Sequence, residues 1–389
     1  MSVTGIIAEF NPLHSGHEYL IKKAKEQGPV VVCISGNFVQ RGETAIAEKR
    51  IRTKAALLSG ADLVLELPVL WSMSTAQNFA LGGVSALYFA GCDSILFGSE
   101  SGNIEKLNET VEILASNKFG SLLETELKKG VTFAAARQTA AEKCGCDTDI
   151  LNGANNNLGI EYIFAARQSG YNINFQTLAR KGAAHDSFKE DEFVSASLLR
   201  QKLLNGDRDF CSKYMSDNVL ELLTDDKLSD IKRIDRAILS VLRTKSIDEL
   251  KNLPDISEGV ENKLFSAIRV AGRLEELYNN VKVKRYTLAR IRRMALSAFI
   301  GMDNSFFMKP LPYIRVLGFS KDGEQLLRTR VSKSPVPVVV RTSDINDLSP
   351  LCKKVFETEI RATDLFGLSL NEPLECGIEY TSKIIKTER

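Results

Sequence analysis

The first twenty residues constrain the fold of this chain more than any other stretch. An apolar run over residues 3–10 has the length and flanks of a buried parallel strand, Asn11-Pro12 ends it, and an amphipathic helix begins at Ser15. His14 lies just before that helix and His17 lies in its first turn. Both imidazoles are thus expected near a helix N-terminus, where unpaired amide groups and the helix dipole favour an anion such as a phosphate.

The two histidines form the pattern H-x-G-H, and the chain has only 3 histidines in all. This pattern, between a strand and a helix, resembles the signature of the nucleotidyltransferase superfamily that also contains the class I aminoacyl-tRNA synthetases. The resemblance implies that His14 and His17 are catalytic: they contact nucleotide phosphates and stabilise charge while the α-phosphate is attacked. The alternative is that the two histidines only cap or solvate the helix.

Composition sets broad limits on the class of protein. The chain has 389 residues, with 44% hydrophobic and 26% charged residues, which suits two or three globular domains. The net charge of +2 is too small to indicate a nucleic-acid partner, so any basic surface must be local. The 7 cysteines show no zinc-type spacing and are typical of reduced thiols. There is no basic leader and no apolar run of membrane-spanning length, so we expect a cytoplasmic protein that makes no contact with a membrane.

Strands and helices alternate in the first half of the chain. Strand-like runs cover residues 30–35, 62–67, 94–97 and 172–178, with helical patterns between them. This alternation predicts an α/β fold with a parallel sheet covered on both faces and a ligand crevice at the carboxyl ends of the strands. We therefore expect a Rossmann-like nucleotidyltransferase domain, which binds ATP and is catalytic, over residues 1–205.

The second half, residues 206–389, has a different character. It begins with charge-rich helices and continues into alternating, strand-like residues over 310–340, where Lys321-Asp322-Gly323-Glu324 has the chemistry of a hairpin turn. We predict an α+β region, helical at first and then β, that binds RNA.

Three further groups of residues have the composition of binding sites. Serines before a helix, followed by an arginine, resemble the superfamily element that holds the β and γ phosphates, although such serines are also ordinary helix caps. A loop between two glycines after the second strand has the composition of a substrate loop, and the cations of the next helix, residues 48–52, could lie over a triphosphate or on a solvated face. Three asparagines before a helix could bind a ligand or form only a turn and a cap. The serine and arginine are Ser197 and Arg200, the loop residues are Asn37, Gln40 and Arg41, and the asparagines are Asn155, Asn156 and Asn157.

Several longer segments are similar to the bacterial tRNA(Met) cytidine acetate ligase family. They are G-I-I-A-E-F-N-P-L-H-S-G-H, S-G-N-F-V-Q-R-G-E, A-D-L-V-L-E-L-P, F-G-S-E, N-N-x-L-G and K-R-Y-T-x-x-R-I-R-R, and they span most of the chain. The resemblance implies an enzyme that uses ATP and free acetate to acetylate the wobble cytidine of elongator tRNA(Met). It also implies an ATP site at Ile7, Ala8, Glu9, Phe10, Asn11, Pro12, Leu13, His14, Ser15, Gly16, His17, Glu18, Tyr19, Leu20, Gly102, Arg180 and either Asn155 or Asn156.

A basic segment provides a candidate surface for RNA. Between Glu276 and Asp303 there is no acidic residue, and Tyr286 lies among the cations. Such a patch could neutralise phosphates while the aromatic ring stacks on a base, or it could be a solvated helix face. The cations are Lys282, Lys284, Arg285, Arg290, Arg292 and Arg293.

The chemistry expected from these residues is electrostatic. Acetate is a poor acyl donor, so its carboxylate must first attack the α-phosphate of ATP to form acetyl-adenylate and release pyrophosphate, and no protein nucleophile is needed. Mg²⁺ is expected with the triphosphate, but no carboxylate pair identifies itself as a dedicated metal site. Two other functions fit the same motifs: a small-molecule adenylyl- or cytidylyltransferase, and an ATP-binding RNA chaperone without chemistry.

Overall fold

A computed structural model describes residues 2–180, 194–257, 259–283 and 286–388. The strands are β1 (Thr4–Ala8), β2 (Val30–Ser35), β3 (Phe38–Val39), β4 (Glu43–Thr44), β5 (Leu63–Leu67), β6 (Ser94–Ser99), β7 (Asn174–Ala179), β8 (Ile314–Phe319), β9 (Val338–Val339) and β10 (Ile385–Lys386). The helices of the first half are α1 (Ser15–Lys25), α2 (Lys49–Leu58), α3 (Val69–Ser72), α4 (Ala76–Phe89), α5 (Ile104–Leu114), α6 (Asn117–Leu127), α7 (Phe133–Lys143), α8 (Ala154–Ser169) and α9 (Ala196–Leu204). Those of the second half are α10 (Arg208–Ser212), α11 (Asp217–Leu220), α12 (Asp235–Thr244), α13 (Ile247–Lys251), α14 (Val260–Val270), α15 (Leu274–Val281), α16 (Leu288–Ile300), α17 (Lys321–Thr329), α18 (Pro350–Gly367) and α19 (Ile378–Thr381).

The main sheet has the strand order β10-β8-β5-β2-β1-β6-β7, with β9 paired to β8. Strands β5, β2, β1, β6 and β7 are parallel, and β8 joins β5 in the antiparallel direction. The order reverses between β1 and β6, which is the switch point where open α/β sheets bind ligands. The predicted α/β fold with a mostly parallel sheet is confirmed, and the turns after β1 and β6 border the switch point.

Both faces of the sheet are covered, as expected for parallel strands that are apolar throughout. One face packs on α4, α8 and the helices of the second half, and the other packs on α1, α2 and the helices that follow α9. All six residues of β2 are buried, which explains its continuous run of apolar residues in the sequence.

The sheet continues beyond the predicted boundary at residue 205. β8, β9 and β10 all come from the second half of the chain, and β8 pairs with β5 of the first half. A buried ion cluster strengthens this connection: Lys49 of α2 pairs with Glu66 of β5, with Glu359 of α18 at 3.0 Å and with Glu379 of α19. The two parts therefore share one sheet, although the division of roles between residues 1–205 and 206–389 stays a prediction.

The hairpin predicted at residues 321–324 is wrong. These residues begin helix α17, which Ser320 caps by accepting a hydrogen bond from the amide of Gly323 at 3.2 Å. The apolar residues that follow pack against the sheet with helical spacing, and a segment this short fits both a two-residue and a helical period. The last strand-like run contributes only the two residues of β9.

A second correction concerns the asparagine run. The sequence pattern places the three asparagines before a helix, whereas α8 begins at Ala154 and has them in its first turn. No local side chain caps this helix. Instead, the carboxylate of Glu100 accepts the amide hydrogens of Asn155 and Asn156 at 3.1 and 2.7 Å. A cap supplied by a residue 55 positions away leaves no local sequence signal.

Candidate active site

The H-x-G-H turn follows β1 directly and has the predicted form. His14 is the N-cap of α1, and its Nδ1 accepts a hydrogen bond from the amide of Gly16 at 3.1 Å. The ring of His17 lies 4.0 Å from that of His14 and 5.1 Å from that of Phe10, centroid to centroid. Nδ1 of His17 is buried and has no hydrogen-bond partner among the described residues. A ligand atom could satisfy this nitrogen, which would otherwise be costly to bury.

Both histidines are neutral at neutral pH. Burial, and to a smaller extent the charge of Arg180, lowers the pKa of His14 to about 4. Burial is also the main cause that lowers the pKa of His17, with His14 and Arg180 adding to it. Neutral imidazoles can approach each other and a guanidinium without charge repulsion, and each keeps one N–H donor. The backbone carbonyl of Pro12 lies near His17 as a hydrogen-bond acceptor and opposes the lowering of its pKa, so a phosphate would compete with this carbonyl for the His17 N–H.

Arg180 follows β7 at the same edge of the sheet. Its Nη1 donates to Oδ1 of Asn155 at 3.1 Å, and the side-chain Nδ2 of Asn155 donates to Oε1 of Glu100 at 2.7 Å. Oδ1 of Asn156 accepts the amide hydrogen of Ser101 at 3.0 Å. Partial burial would raise the pKa of Glu100, but hydrogen bonds from Asn155 and from two helix amides lower it overall. The turn after β6 and the start of α8 thus form one hydrogen-bonded cluster beside the histidines.

Gly102 packs closely against the end of β7 beside that cluster. It has a φ of +58°, and a Cβ at this position would lie 2.5 Å from the Cβ of Ala179. Its amide donates to Oγ of Ser99 at 3.0 Å. Only glycine fits here, which allows the backbone of the β6 turn to lie against the end of β7.

The serine-arginine element reaches back to the first turn. Ser195 caps α9, which is the ordinary role that the sequence pattern allows for the serines before this helix. Nη1 of Arg200 donates to the carbonyl of Asn11 at 2.9 Å, and its Nη2 contacts Ser197 Oγ at 3.2 Å and Glu43 at 3.4 Å. The structure therefore places two predicted groups, 189 residues apart at this contact, in one site.

The proposed substrate loop is a small hairpin, β3–β4. The side chain of Asn37 is buried; it accepts a hydrogen bond from the backbone amide of Lys49 at 2.8 Å and donates one to Thr363 at 3.1 Å. It therefore anchors the loop to α2 and α18. Gln40 is half-buried, and its amide donates to Glu9 Oε1 at 2.9 Å. Arg41 is exposed.

Two of the cations of α2 are buried and face no ligand site. Lys49 and Arg52 are both buried, Lys49 in the ion cluster and Arg52 among backbone carbonyls. The prediction that they could face a triphosphate is wrong for these two residues, because they bind protein groups that the sequence does not bring near them. As with the cap that Glu100 provides, no residues close to Arg52 in the sequence indicate the contacts that it makes.

Half of the basic segment is bound to other parts of the protein. Arg293 is buried, pairs with both carboxylate oxygens of Asp255 at 2.6 and 3.2 Å, and donates to the carbonyl of Gln40 at 3.1 Å. Arg292 pairs with Glu43 of the hairpin. Arg290 is partly exposed, and its guanidinium donates to the carbonyl of Asp255 at 2.9 Å and to Ser257 Oγ at 2.6 Å. The same guanidinium lies 5.2 Å from the centre of the Tyr286 ring.

Other predicted residues lie at the surface or outside the described part of the chain. Lys282 is exposed. Lys284 and Arg285 lie outside the described residues, as does the loop that contains His185.

Within the described part of the chain, no helix is long and apolar enough to cross a membrane. The same residues contain no group of three or more histidine, cysteine or acidic side chains that could hold a metal ion.

Comparison with known proteins places the chain in a family. A profile of the HIGH Nucleotidyl Transferase family matches residues 1–377. The tRNA(Met) cytidine acetate ligase of Thermoanaerobacter sp. (strain X514) is 36% identical over 402 aligned residues, which cover 99% of this chain and 100% of that protein. The protein of the same name from Clostridium novyi (strain NT) is 38% identical and covers 88% of this chain and 90% of its own length.

A solved structure matches over the whole chain. The crystal structure of Thermotoga maritima TmcAL bound with alpha-thio ATP has a TM-score of 0.92 and 29% sequence identity, with full coverage of both chains. The apo form of the same protein has a TM-score of 0.93. On the full-length similarity to the curated relatives and the profile match together, this chain belongs to the HIGH nucleotidyl transferase family and, within it, to the tRNA(Met) cytidine acetate ligases.

Proposed function

We propose that this protein acetylates the exocyclic amine of the wobble cytidine in elongator tRNA(Met), consuming ATP and free acetate. The observation that carries the proposal is the pair His14 and His17, held at the switch point of the sheet beside Arg180, in a chain of this family. Because its substrate is a tRNA, we infer that the enzyme acts in the cytoplasm.

The first half-reaction activates acetate. The acetate carboxylate attacks the α-phosphorus of ATP, pyrophosphate leaves, and acetyl-adenylate forms. His14 and His17 donate to phosphate oxygens as charge develops there, and Arg180 and Arg200 supply positive charge from two sides of the turn. The segment 7–20, together with Gly102, Asn155 and Asn156, holds the nucleotide. Mg²⁺ bound with ATP would neutralise part of the charge of the triphosphate.

The second half-reaction transfers the acetyl group to RNA. Helix α16 packs against the β3–β4 hairpin through the pair Arg292–Glu43, and the hairpin contacts Glu9 at the end of β1. A tRNA bound along the basic segment would therefore lie next to the adenylate. Arg292 and Arg293 are held by ion pairs with carboxylates, whereas Arg290 donates only to neutral groups, the Asp255 carbonyl and the Ser257 hydroxyl. We therefore assign the phosphate contacts to Lys282 and Arg290, together with the predicted Lys284 and Arg285.

One incubation tests the reaction. The protein is mixed with ATP, ¹⁴C-acetate and bulk tRNA, and label in RNA, AMP and pyrophosphate are measured. We expect label in tRNA(Met) and one pyrophosphate for each acetyl group. Pyrophosphate release only in the presence of a phosphorylated metabolite would indicate a small-molecule nucleotidyltransferase, and binding of ATP without cleavage would indicate a chaperone.

The tRNA surface has its own test. Replacing Lys282 and Arg290 with glutamine should weaken tRNA binding and lower the slope of log affinity against log salt by about 1 for each phosphate that the protein no longer neutralises. The matched control is Lys128→Gln, a strongly exposed cation next to α6. An unchanged salt slope in the double variant would rule out this surface.

A further inference from the structure

Glu9 lies in the site, and the two oxygens of its carboxylate differ in their hydrogen bonding. It follows β1 directly, at the switch point, and its side chain is half-buried. Oε1 accepts the amide hydrogen of Gln40 at 2.9 Å, which fixes the carboxylate against the hairpin. Among the described residues, Oε2 has no hydrogen-bond donor. The side chain is therefore positioned by one oxygen and has the other oxygen available.

The other carboxylates in the segments that follow β1, β2 and β6 are fully engaged. Glu43 forms ion pairs with Arg200 through one oxygen and with Arg292 through the other. Glu48 caps α2 and pairs with the arginine two residues later. Both oxygens of Glu100 accept hydrogen bonds from the start of α8. Within the described residues of these segments, Glu9 is the one carboxylate with an oxygen that could accept a proton.

The surroundings of Glu9 suit a group that changes its charge. The charged groups that act on its carboxylate are Arg200 of α9, Arg41 of the hairpin and Arg52 of α2. Tyr162 of α8 is a further titratable group, whose pKa is raised by burial and then by the charge of Glu9. Burial raises the pKa of Glu9, while the Gln40 amide and the three cations act against that shift without cancelling it. A raised pKa makes a carboxylate a better proton acceptor than a surface carboxylate at neutral pH.

We propose that Glu9 accepts the proton which the cytidine amine releases during acetyl transfer, an inference that rests on the proposed acetylation of tRNA. The amine nitrogen attacks the carbonyl carbon of acetyl-adenylate and forms the new C–N bond. The bond between that carbon and the phosphate oxygen breaks, and AMP leaves with the electron pair. The proton from nitrogen passes to Oε2 of Glu9, so charge and atoms balance. Acetate activation requires no such acceptor, because the attacking carboxylate carries no proton.

The two half-reactions separate this role from a structural one. In Glu9→Gln, acetate-dependent ATP–pyrophosphate exchange measures any loss that comes from nucleotide binding, because Glu9 lies in the segment 7–20. Transfer from preformed enzyme-bound acetyl-adenylate to tRNA should slow by about a hundredfold or more beyond that loss. In wild type the single-turnover transfer rate should rise with pH as Glu9 loses its proton and then level off, and Glu9→Gln should lose that rise. Glu9→Asp keeps the carboxylate and should keep the pH-dependent rise at a lower rate.

The matched control is Glu105→Gln, an exposed carboxylate in the first turn of α5, which should leave both half-reactions unchanged. Transfer by Glu9→Gln within about fivefold of wild type would overturn the assignment. Equal losses of exchange and transfer would also overturn it, because they would place Glu9 in adenylate formation. If wild type forms acetyl-adenylate but labels no RNA, the proposed function itself fails.

Discussion

The backbone of Gly102 lies against Ala179 so closely that an added Cβ would come within 2.5 Å of the Ala179 Cβ. This contact joins the turn after β6 to the end of β7, immediately before Arg180. The left-handed φ of +58° adds a second reason why a side chain cannot be accommodated here without movement.

We expect Gly102→Ala to weaken ATP binding at least about tenfold and to destabilise the protein by about 1–3 kcal/mol, since backbone strain and the clash act together. Calorimetric ATP titration and urea unfolding measure the two effects. Gly120→Ala is the matched control: Gly120 lies inside α6 with open space around it, so the change should stabilise the protein by about 0.5–1 kcal/mol. Wild-type ATP affinity in Gly102→Ala would contradict this account of the turn.

His17→Ala should abolish acetyl-adenylate formation while the fold remains intact. Removing one preorganised donor to a developing charge costs about a hundredfold to a thousandfold in rate. Acetate-dependent ATP–pyrophosphate exchange measures the loss, and the unfolding midpoint shows whether the fold persists. Lys22→Ala, on the exposed face of the same helix, should leave exchange unchanged. Normal exchange in His17→Ala would remove the histidine pair from the mechanism.

The buried His14 makes stability depend on pH. Its pKa falls from 6.5 to about 4 in the folded, ligand-free protein. Between these values the unfolded chain binds a proton that the folded protein does not bind, so the free energy of unfolding decreases as pH falls through this window. The contribution of His14 is about 1 kcal/mol per pH unit.

Urea unfolding at pH 6.5, 5.5 and 4.5 tests this prediction. Carboxylates also contribute to the loss at acidic pH, so the comparison is with His14→Gln, which should show a shallower decrease over the same range. Parallel curves for the two proteins would show that His14 titrates alike in the folded and unfolded states.

Arg52 holds together the carboxyl ends of β1 and β2. It donates to the carbonyls of Ala47 at 2.9 Å, Glu9 at 2.8 Å and Ser35 at 2.9 Å, and also to that of Gly36. A lysine cannot span these acceptors, because its donors radiate from one nitrogen. Arg52→Lys should therefore lower the free energy of unfolding by about 2–4 kcal/mol.

The matched control for Arg52 is Lys54→Ala, two residues later on the exposed face of α2, which should change stability by less than about 0.5 kcal/mol. Urea unfolding measures both variants. If Arg52→Lys is as stable as Lys54→Ala, the carbonyl contacts contribute little to the fold.

Local patterns predicted the elements that carry the nucleotide site. The strand before His14, the start of α1 at Ser15 and the Ser195 cap of α9 all appear where the sequence places them. Each depends on residues within a few positions of one another, so periodicity and capping chemistry are sufficient to identify them. The predicted roles of His14, His17 and the other site residues remain for the experiments above.

The errors share a different cause. Helix α17 and the early start of α8 depend on packing and on a cap from Glu100, which lies 55 residues from its partner Asn155. Lys49 belongs to a run of charged residues that is typical of an exposed helix face, but it lies in a buried ion cluster with Glu359, 310 positions away. Propensity and charge pattern carry no information about such distant partners.

The alternating α/β order, the H-x-G-H turn and the family resemblance followed from the amino-acid sequence alone, because each is written in contiguous segments. The folded structure was needed to show that β8 and β10 extend the same sheet, that Arg200 reaches the carbonyl of Asn11, and that Arg292 and Arg293 are bound to the hairpin and to Asp255. The physical reason is that a cation has no preferred partner until the fold brings an acceptor within hydrogen-bond distance and removes the competing water.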